Sequence, residues 1–115
     1  MTSSVDIFVR FTHTGFHHWK DAPPSRAYLA DRHRHVFHFE AQMSVLHNDR
    51  EVEFHDMLDD CKMFVDLNRQ RWELAGASCE HMALALAEYL VAEYDRPARV
   101  EVSEDGECGA RVSCG

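Results

Sequence analysis

The 115-residue sequence is poor in positive charge, with twelve Lys and Arg against twenty Asp and Glu and a net charge of −8. It has no basic stripe that could neutralise phosphates, so we expect no nucleic-acid partner. No apolar run approaches the roughly 18 residues of a membrane-spanning helix, so we expect no membrane contact. Residues 1–10 mix Asp6 and Arg10 with scattered apolar residues and lack the apolar core of a signal peptide, which favours a cytoplasmic location.

Internal repeats, linkers and low-complexity tracts are also missing. A chain of this length can build one modest core, so residues 1–115 are predicted to form a single domain that oligomerisation would help to stabilise. The cysteines are not spaced as zinc ligands and, without a secretory signal, are expected to be reduced thiols. These four residues are Cys61, Cys79, Cys108 and Cys114.

Histidine, in contrast, is abundant, with nine residues that are partly clustered. His33 and His35 are two residues apart in an alternating segment, so both imidazoles project to one side of a strand and can reach one ion. Catalytic zinc typically takes about three protein ligands and keeps one position open. A third ligand is therefore required, and His17 in the preceding segment is the best placed, with His13 and His18 as alternatives.

A histidine pair on an exposed strand is often only solvated, which is the alternative to ligation here. The density of histidines and the polar loop that precedes the pair favour a metal site. The rest of the row, from Phe37 to Val45, has the composition of a core face, which places His33 and His35 at the rim of that face. His38 alternates onto the opposite face and is expected at the surface.

The spacing of apolar residues predicts an α+β fold with the element order β-β-α-α-β-β. Alternation with a period of two indicates strands, and apolar residues three or four apart indicate helices. Ser78 is a good helix N-cap, and Asp105-Gly106 is a turn signal. The predicted elements are a strand over 5–13, a long loop over 14–31, a strand over 33–45, a helix beginning between 53 and 57, a helix after Ser78 that ends at 95–97, a strand around 100–102 and a short strand over 111–114.

Several motifs, taken in order, resemble the 6-pyruvoyltetrahydropterin synthase and 6-carboxytetrahydropterin synthase family, the tunnelling-fold enzymes. Residues 33–35 (HRH) are similar to the family's H-G-H zinc pair, and residues 16–19 (FHHW) to the segment that supplies its first histidine. The resemblance extends over most of the chain. The other similar segments are 52–57 (VEFHDM) and 78–81 (SCEH), where the two helices begin, and 100–104 (VEVSE) on the third strand.

The resemblance implies a ββααββ antiparallel sheet with two helices on one face, whose copies join into an oligomeric barrel, as trimers or hexamers. It implies Zn²⁺ held by His17, His33 and His35, and a pterin bound between subunits. Glu104 would anchor the amino-pyrimidine edge of the ring, because a carboxylate accepts two parallel N–H bonds from such a group. Ser78 and Glu80, in the SCEH segment, are the other expected ligand-binding residues.

The sequence departs from the family where proton transfer is expected. The family has a cysteine a few residues before H-G-H, whereas residues 28–32 read YLADR, and the Asp-His relay after the first helix has no counterpart. Cys79 is the best substitute, because a helix N-terminus stabilises a thiolate. Its neighbours Glu80 and His81 could orient or relay a proton. Asp31 and Asp56 are weaker candidate bases, and each is more simply explained as a solvated or capping residue. The alternative is that Cys79 is a small residue packed at a helix start.

Two functions follow from this interpretation, and a third remains open. The first is a zinc-dependent, lyase-type synthase acting on a reduced pterin or a related purine-derived compound. The second is a catalytically inactive, metal-containing protein that binds a purine- or pterin-like ligand. The third is a small interaction domain whose histidines and metal only stabilise the fold.

Overall fold

A computed structural model of the protein describes residues 3–115, so the first two residues of the predicted domain lie outside the described part. The fold is α+β, as predicted, and its strands and long helices follow the predicted order. A short 3₁₀ segment lies within the predicted loop. The elements are β1 (Val5–His17), the 3₁₀ segment (Pro24–Ala30), β2 (His33–Val45), α1 (Phe54–Ala75), α2 (Cys79–Tyr94), β3 (Ala98–Glu104) and β4 (Cys108–Cys114).

The four strands form one antiparallel sheet in the order β1-β2-β3-β4, so β1 and β4 are its edges. Side chains alternate between the two faces of each strand, and the face toward the helices is apolar. Phe39 is at the centre of this face, opposite Phe11 on β1 and Val102 on β3. The buried residues that the sheet contributes to the core are Ile7, Val9, Phe37, Phe39, Ala41, Met43, Ala98, Val100 and Val102.

Both helices lie on this apolar face, α1 against β1 and α2 against β3 and β4. The Glu53 side chain caps α1 by accepting the His55 N–H at 2.9 Å, and Ser78 caps α2 by accepting the His81 N–H at 3.1 Å. Gly76 ends α1 in the left-handed conformation, with φ of 67°. Neither helix, within residues 3–115, is long and apolar enough to cross a bilayer.

The strand β1 continues four residues beyond the predicted end at His13, as far as His17. The extension forms because residues 14–17 pair with residues 33–36 of β2, which supplies partners for their backbone groups. The strand β4 likewise begins at Cys108 instead of residue 111. Asp105 and Gly106 have φ of 56° and 75°, the tight hairpin conformation that lets pairing start directly after the turn.

Candidate metal centre

Three histidines meet at the end of the β1-β2 pair, on the face that carries the helices. His17 and His33 are directly opposite each other in the register of the two strands, and His35 is two residues further along β2. Their ring centroids lie 4.5 Å apart for His17 and His33, 5.1 Å for His17 and His35, and 5.0 Å for His33 and His35. One nitrogen of each ring lies within 4.8 Å of the others, so the group can hold a metal ion.

The Nδ1 atom of each ring is already engaged by an oxygen acceptor. His17 Nδ1 donates to the Ala77 carbonyl at 3.2 Å, and His33 Nδ1 donates to the Asp31 carbonyl at 2.8 Å. His35 Nδ1 donates to the Asp105 carboxylate at 2.7 Å. Because these oxygens only accept, each neutral imidazole carries its proton on Nδ1 and has a lone pair on Nε2. Metal-binding histidines are held in this way by acceptors on the far side of the ring.

The Nε2 atoms have no matching donors among the described residues. His33 Nε2 is buried and has no hydrogen-bond partner within residues 3–115. His35 Nε2 lies 3.0 Å from Glu104 Oε2, and two lone-pair atoms at this separation repel unless a proton or a metal ion lies between them. An unpaired buried polar atom costs about 1–3 kcal/mol, so the arrangement fits a cation at the point where the rings meet.

The electrostatics of His17 fit the same role. Burial lowers the pKa of His17, and the neighbouring His33 and His35 act in the same direction. The Ala77 carbonyl and the Glu104 carboxylate oppose this effect. A lowered pKa keeps the ring neutral, which is the form that binds a metal. Three imidazole nitrogens suit zinc, copper, iron or nickel, so the ligand set indicates a transition-metal ion of this group.

Glu104 is positioned beside the histidines by the register of β2 and β3. It is directly opposite Phe37, and side chains of opposite residues share a face, so its carboxylate projects toward the same side as His35. One oxygen lies 3.0 Å from His35 Nε2 and the other 3.7 Å from His17 Nε2. The carboxylate is partly exposed, which leaves it accessible to a ligand.

A cavity of about 410 Å³ adjoins the histidines. It brings the three predicted ligand-binding residues together with two of the three candidate metal ligands. No Lys or Arg lies among the described residues that line it, and two carboxylates do. The lining consists of His17, His18, Trp19, Leu29, His33, Gly76, Ser78, Cys79, Glu80 and Glu104.

Cys79 lines this cavity, but its thiol does not have the ionisation expected at a helix start. The residue is only 4 % exposed. Burial raises the pKa of the thiol to about 12, and the carboxylates of Glu104 and Glu80 add to the effect. Desolvation and like charge both disfavour the thiolate, so the side chain is a protonated thiol at neutral pH. A role for Cys79 as base stays a prediction.

The other candidate residues lie apart from the cavity. His81 is exposed on α2, and neither it nor the Asp31 side chain is among the residues that line the cavity in the described part of the chain. Asp31 acts on the site through its backbone carbonyl. His13 lies two positions before Gly15, against which its ring packs, and is not part of the histidine group. His18 lines the cavity and its carbonyl lies against Gly76.

Two residues of the site were not predicted from the sequence. Asp105, which accepts from His35, was identified only as part of a turn, and its place directly after Glu104 was the signal that could have pointed to it. The Ala77 carbonyl, which accepts from His17, carries no signal in the sequence because any residue has this group. Only the tertiary approach of the helix connection to β1 brings it to the site.

No protein-family model matches the chain, and no curated protein matches it significantly. The resemblance to pterin synthases therefore stays a prediction that rests on the motifs quoted above. The geometry adds to those motifs a histidine group, an adjacent carboxylate and a cavity between them and the start of α2.

Proposed function

We propose that the chain is a zinc-dependent, lyase-type enzyme similar to 6-pyruvoyl- and 6-carboxytetrahydropterin synthases, acting on a reduced pterin or a related purine-derived compound. The observation that carries this proposal is the Glu104 carboxylate beside the convergent histidines, 3.0 Å from His35 Nε2. Glu104, which would anchor the pterin ring, is therefore a direct neighbour of the histidines that would hold the metal. Neither group alone would favour a pterin over other ligands.

The cavity has the size and chemistry to hold such a ring. Its volume of about 410 Å³ lies within the usual range of small-molecule pockets. Glu104 would accept two parallel N–H bonds from the amino-pyrimidine edge, and Ser78 and Glu80 would provide further polar contacts. Trp19 and Leu29 form an apolar part of the wall, against which a flat heterocycle can pack.

Zinc is the ion proposed for the histidine group, because three histidines with an open position are typical of catalytic zinc. When bound, zinc would polarise oxygen atoms on the side chain of the substrate. His17, His33 and His35 would hold the ion, and their Nδ1 acceptors would fix the ring orientations. Proton transfer would fall to Cys79, His81 or Asp31, of which only Cys79 lines the cavity.

The second candidate function is a metal-containing protein that binds a pterin- or purine-like ligand without chemistry. The burial of Cys79 favours it. Burial raises the pKa of the thiol to about 12, so almost no thiolate is present at neutral pH to accept a proton. The family's cysteine before the histidine pair is also absent from residues 28–32. Both candidate functions use the same metal site and the same ring anchor.

We further propose that the active form is a homo-oligomer, a trimer or a hexamer, in which sheets join edge to edge as a tunnelling-fold barrel. The free edges of β1 and β4 support this, since an unpaired strand edge is a template for pairing with another chain. Light scattering coupled to gel filtration would measure the assembly, and a monomer at micromolar concentration would contradict the barrel. A cytoplasmic location is part of the same proposal.

Ligand binding is tested with biopterin, whose fluorescence reports binding to the zinc-loaded protein. The matched pair of variants is Glu104→Gln and Glu107→Gln, which remove the same charge from the same hairpin, with only Glu104 in the cavity. Charged hydrogen bonds contribute about 1.5–3 kcal/mol, so Glu104→Gln is expected to weaken binding by roughly 10- to 100-fold. Glu107→Gln should bind as the unaltered protein does. Equal affinity of both variants would contradict the ring anchor.

Turnover separates the enzyme from the binding protein. The zinc-loaded protein is incubated with 7,8-dihydroneopterin and the products are separated by chromatography. Product formation that disappears in His35→Ala supports the enzyme, and tight binding without product supports the binding protein. If biopterin and 7,8-dihydroneopterin both fail to bind, a pterin is excluded as the ligand in both functions.

A further inference from the structure

Asp105 makes three hydrogen bonds to the strand that carries the histidine pair. Its backbone N–H donates to the Val36 carbonyl at 2.7 Å, and its Oδ1 accepts from the Val36 N–H at 2.9 Å. Its Oδ2 accepts from His35 Nδ1 at 2.7 Å. The turn that Asp105 begins is therefore hydrogen-bonded to β2 at Val36, the residue next to His35. The Val36 N–H orients the Asp105 carboxylate, and the carboxylate in turn orients the His35 ring.

The acceptor of His35 differs in kind from those of the other two histidines. His17 and His33 donate to backbone carbonyls, which are neutral, whereas His35 donates to a carboxylate. A bond to an ionised acceptor is shorter and stronger than one to a neutral acceptor. It also makes Nε2, the other nitrogen of the ring, more basic and therefore a stronger metal ligand.

We propose that Asp105 is a positioning residue for the metal centre, which fixes the ring of His35 and strengthens its bond to the ion. The Asp105–His35–metal arrangement makes His35 the strongest ligand of the three. Asp105 contacts Nδ1, on the far side of the ring from the Nε2 atom that would bind the ion. The inference rests on the proposed metal site and is independent of the proposed pterin chemistry.

The test compares the zinc affinity of Asp105→Asn with that of a matched control variant, by competition with a chromophoric chelator. Asparagine keeps an oxygen for the Val36 N–H but removes the charge that His35 Nδ1 faces. We expect Asp105→Asn to bind zinc roughly 10- to 100-fold more weakly, the range typical of such outer partners. Glu107→Gln removes an equal charge from the same turn and should bind zinc as the unaltered protein does.

Equal zinc affinity of Asp105→Asn and the unaltered protein would overturn the inference, as would an equal loss in Glu107→Gln. Circular dichroism of the metal-free variants shows whether each is folded. Imidazole ¹⁵N NMR of the unaltered, zinc-loaded protein provides a measurement that needs no variant. It should show His35 bound through Nε2 with a hydrogen-bonded proton on Nδ1, and metal on Nδ1 or no bound zinc would overturn the inference. The zinc affinities test only the metal site, so the expected values are the same whether or not the protein binds a pterin.

Discussion

His17 and His33 are directly opposite each other on adjacent antiparallel strands, with ring centroids 4.5 Å apart. The pairing of β1 with β2 therefore places two of the three candidate metal ligands side by side. His35 is two residues after His33 on β2, so its side chain projects from the same face and completes the group. Ligands on paired strands are held more rigidly than ligands on loops, which favours a metal site that exists before the ion binds.

Replacing any of His17, His33 and His35 by alanine should weaken zinc binding by more than roughly 100-fold, because each removes one of about three ligands. His38→Ala is the control, since this histidine is exposed on the opposite face of β2. Isothermal titration with zinc checks the prediction. His13→Ala tests the choice among the candidates on β1, and a loss in this variant as large as that in His17→Ala would contradict the proposed ligand set.

Much of the fold could be predicted from the sequence because the hydrophobic period is strong. The strand over 33–45 has the predicted boundaries, and α2 begins directly after the predicted cap Ser78. The end of β1 could not be predicted in this way. Residues 14–17 (TGFH) contain Gly15, which strands disfavour, and they are extended because β2 provides hydrogen-bond partners for them.

The candidate site could be predicted where it depends on spacing along one strand. His33 and His35 are such a pair, and His17 was the preferred third residue. The roles of Asp105 and the Ala77 carbonyl depend on where the hairpin and the helix connection approach the sheet, which no local pattern reports. The raised pKa of Cys79 follows first from burial and then from the nearby carboxylates of Glu104 and Glu80, which only the folded arrangement reveals.

Gly76→Ala should be more destabilising than Gly106→Ala. Both glycines have positive φ, of 67° and 75°, and a left-handed alanine costs roughly 1–2 kcal/mol at either position. At Gly76 an added Cβ would also lie 2.5 Å from the His18 carbonyl oxygen, whereas at Gly106 the nearest atom is 3.8 Å away. Urea unfolding gives the two free energies. An equal loss of unfolding free energy in both variants would contradict the close approach of the His18 carbonyl to Gly76.

The free energy of unfolding should fall as the pH rises above about 9. Burial raises the pKa of the Cys61 thiol from 9.0 to about 12, so the unfolded chain loses this proton at a lower pH than the folded chain. Between these two values the slope is up to about 1.4 kcal/mol per pH unit for such a thiol. Cys61→Ala should reduce this slope in urea unfolding between about pH 9 and about pH 10.5. The exposed Cys108→Ala is the control, and parallel slopes for both variants would contradict the burial of Cys61.

Thiol reactivity should distinguish the exposed Cys108 from the buried Cys61 and Cys79 in the folded protein. Cys108 is exposed, and Cys61 and Cys79 are buried with pKa values near 12. A disulfide reagent attacks through the thiolate, so at about pH 8 Cys108 should react fast and Cys79 slowly. Single-cysteine variants allow each rate to be measured by absorbance. A fast reaction of Cys79 would show an accessible thiolate and would strengthen its candidacy as a base.

Zinc-edge X-ray absorption of the metal-loaded protein tests the central claim most directly, because it reports which atoms surround the ion. The account predicts one zinc per chain with imidazole nitrogens at about 2.0–2.1 Å and no sulfur. The outer-shell scattering of the rings should decrease in His33→Ala. A sulfur neighbour at about 2.3 Å, or a purified protein that binds no zinc, would contradict a metal centre built from His17, His33 and His35.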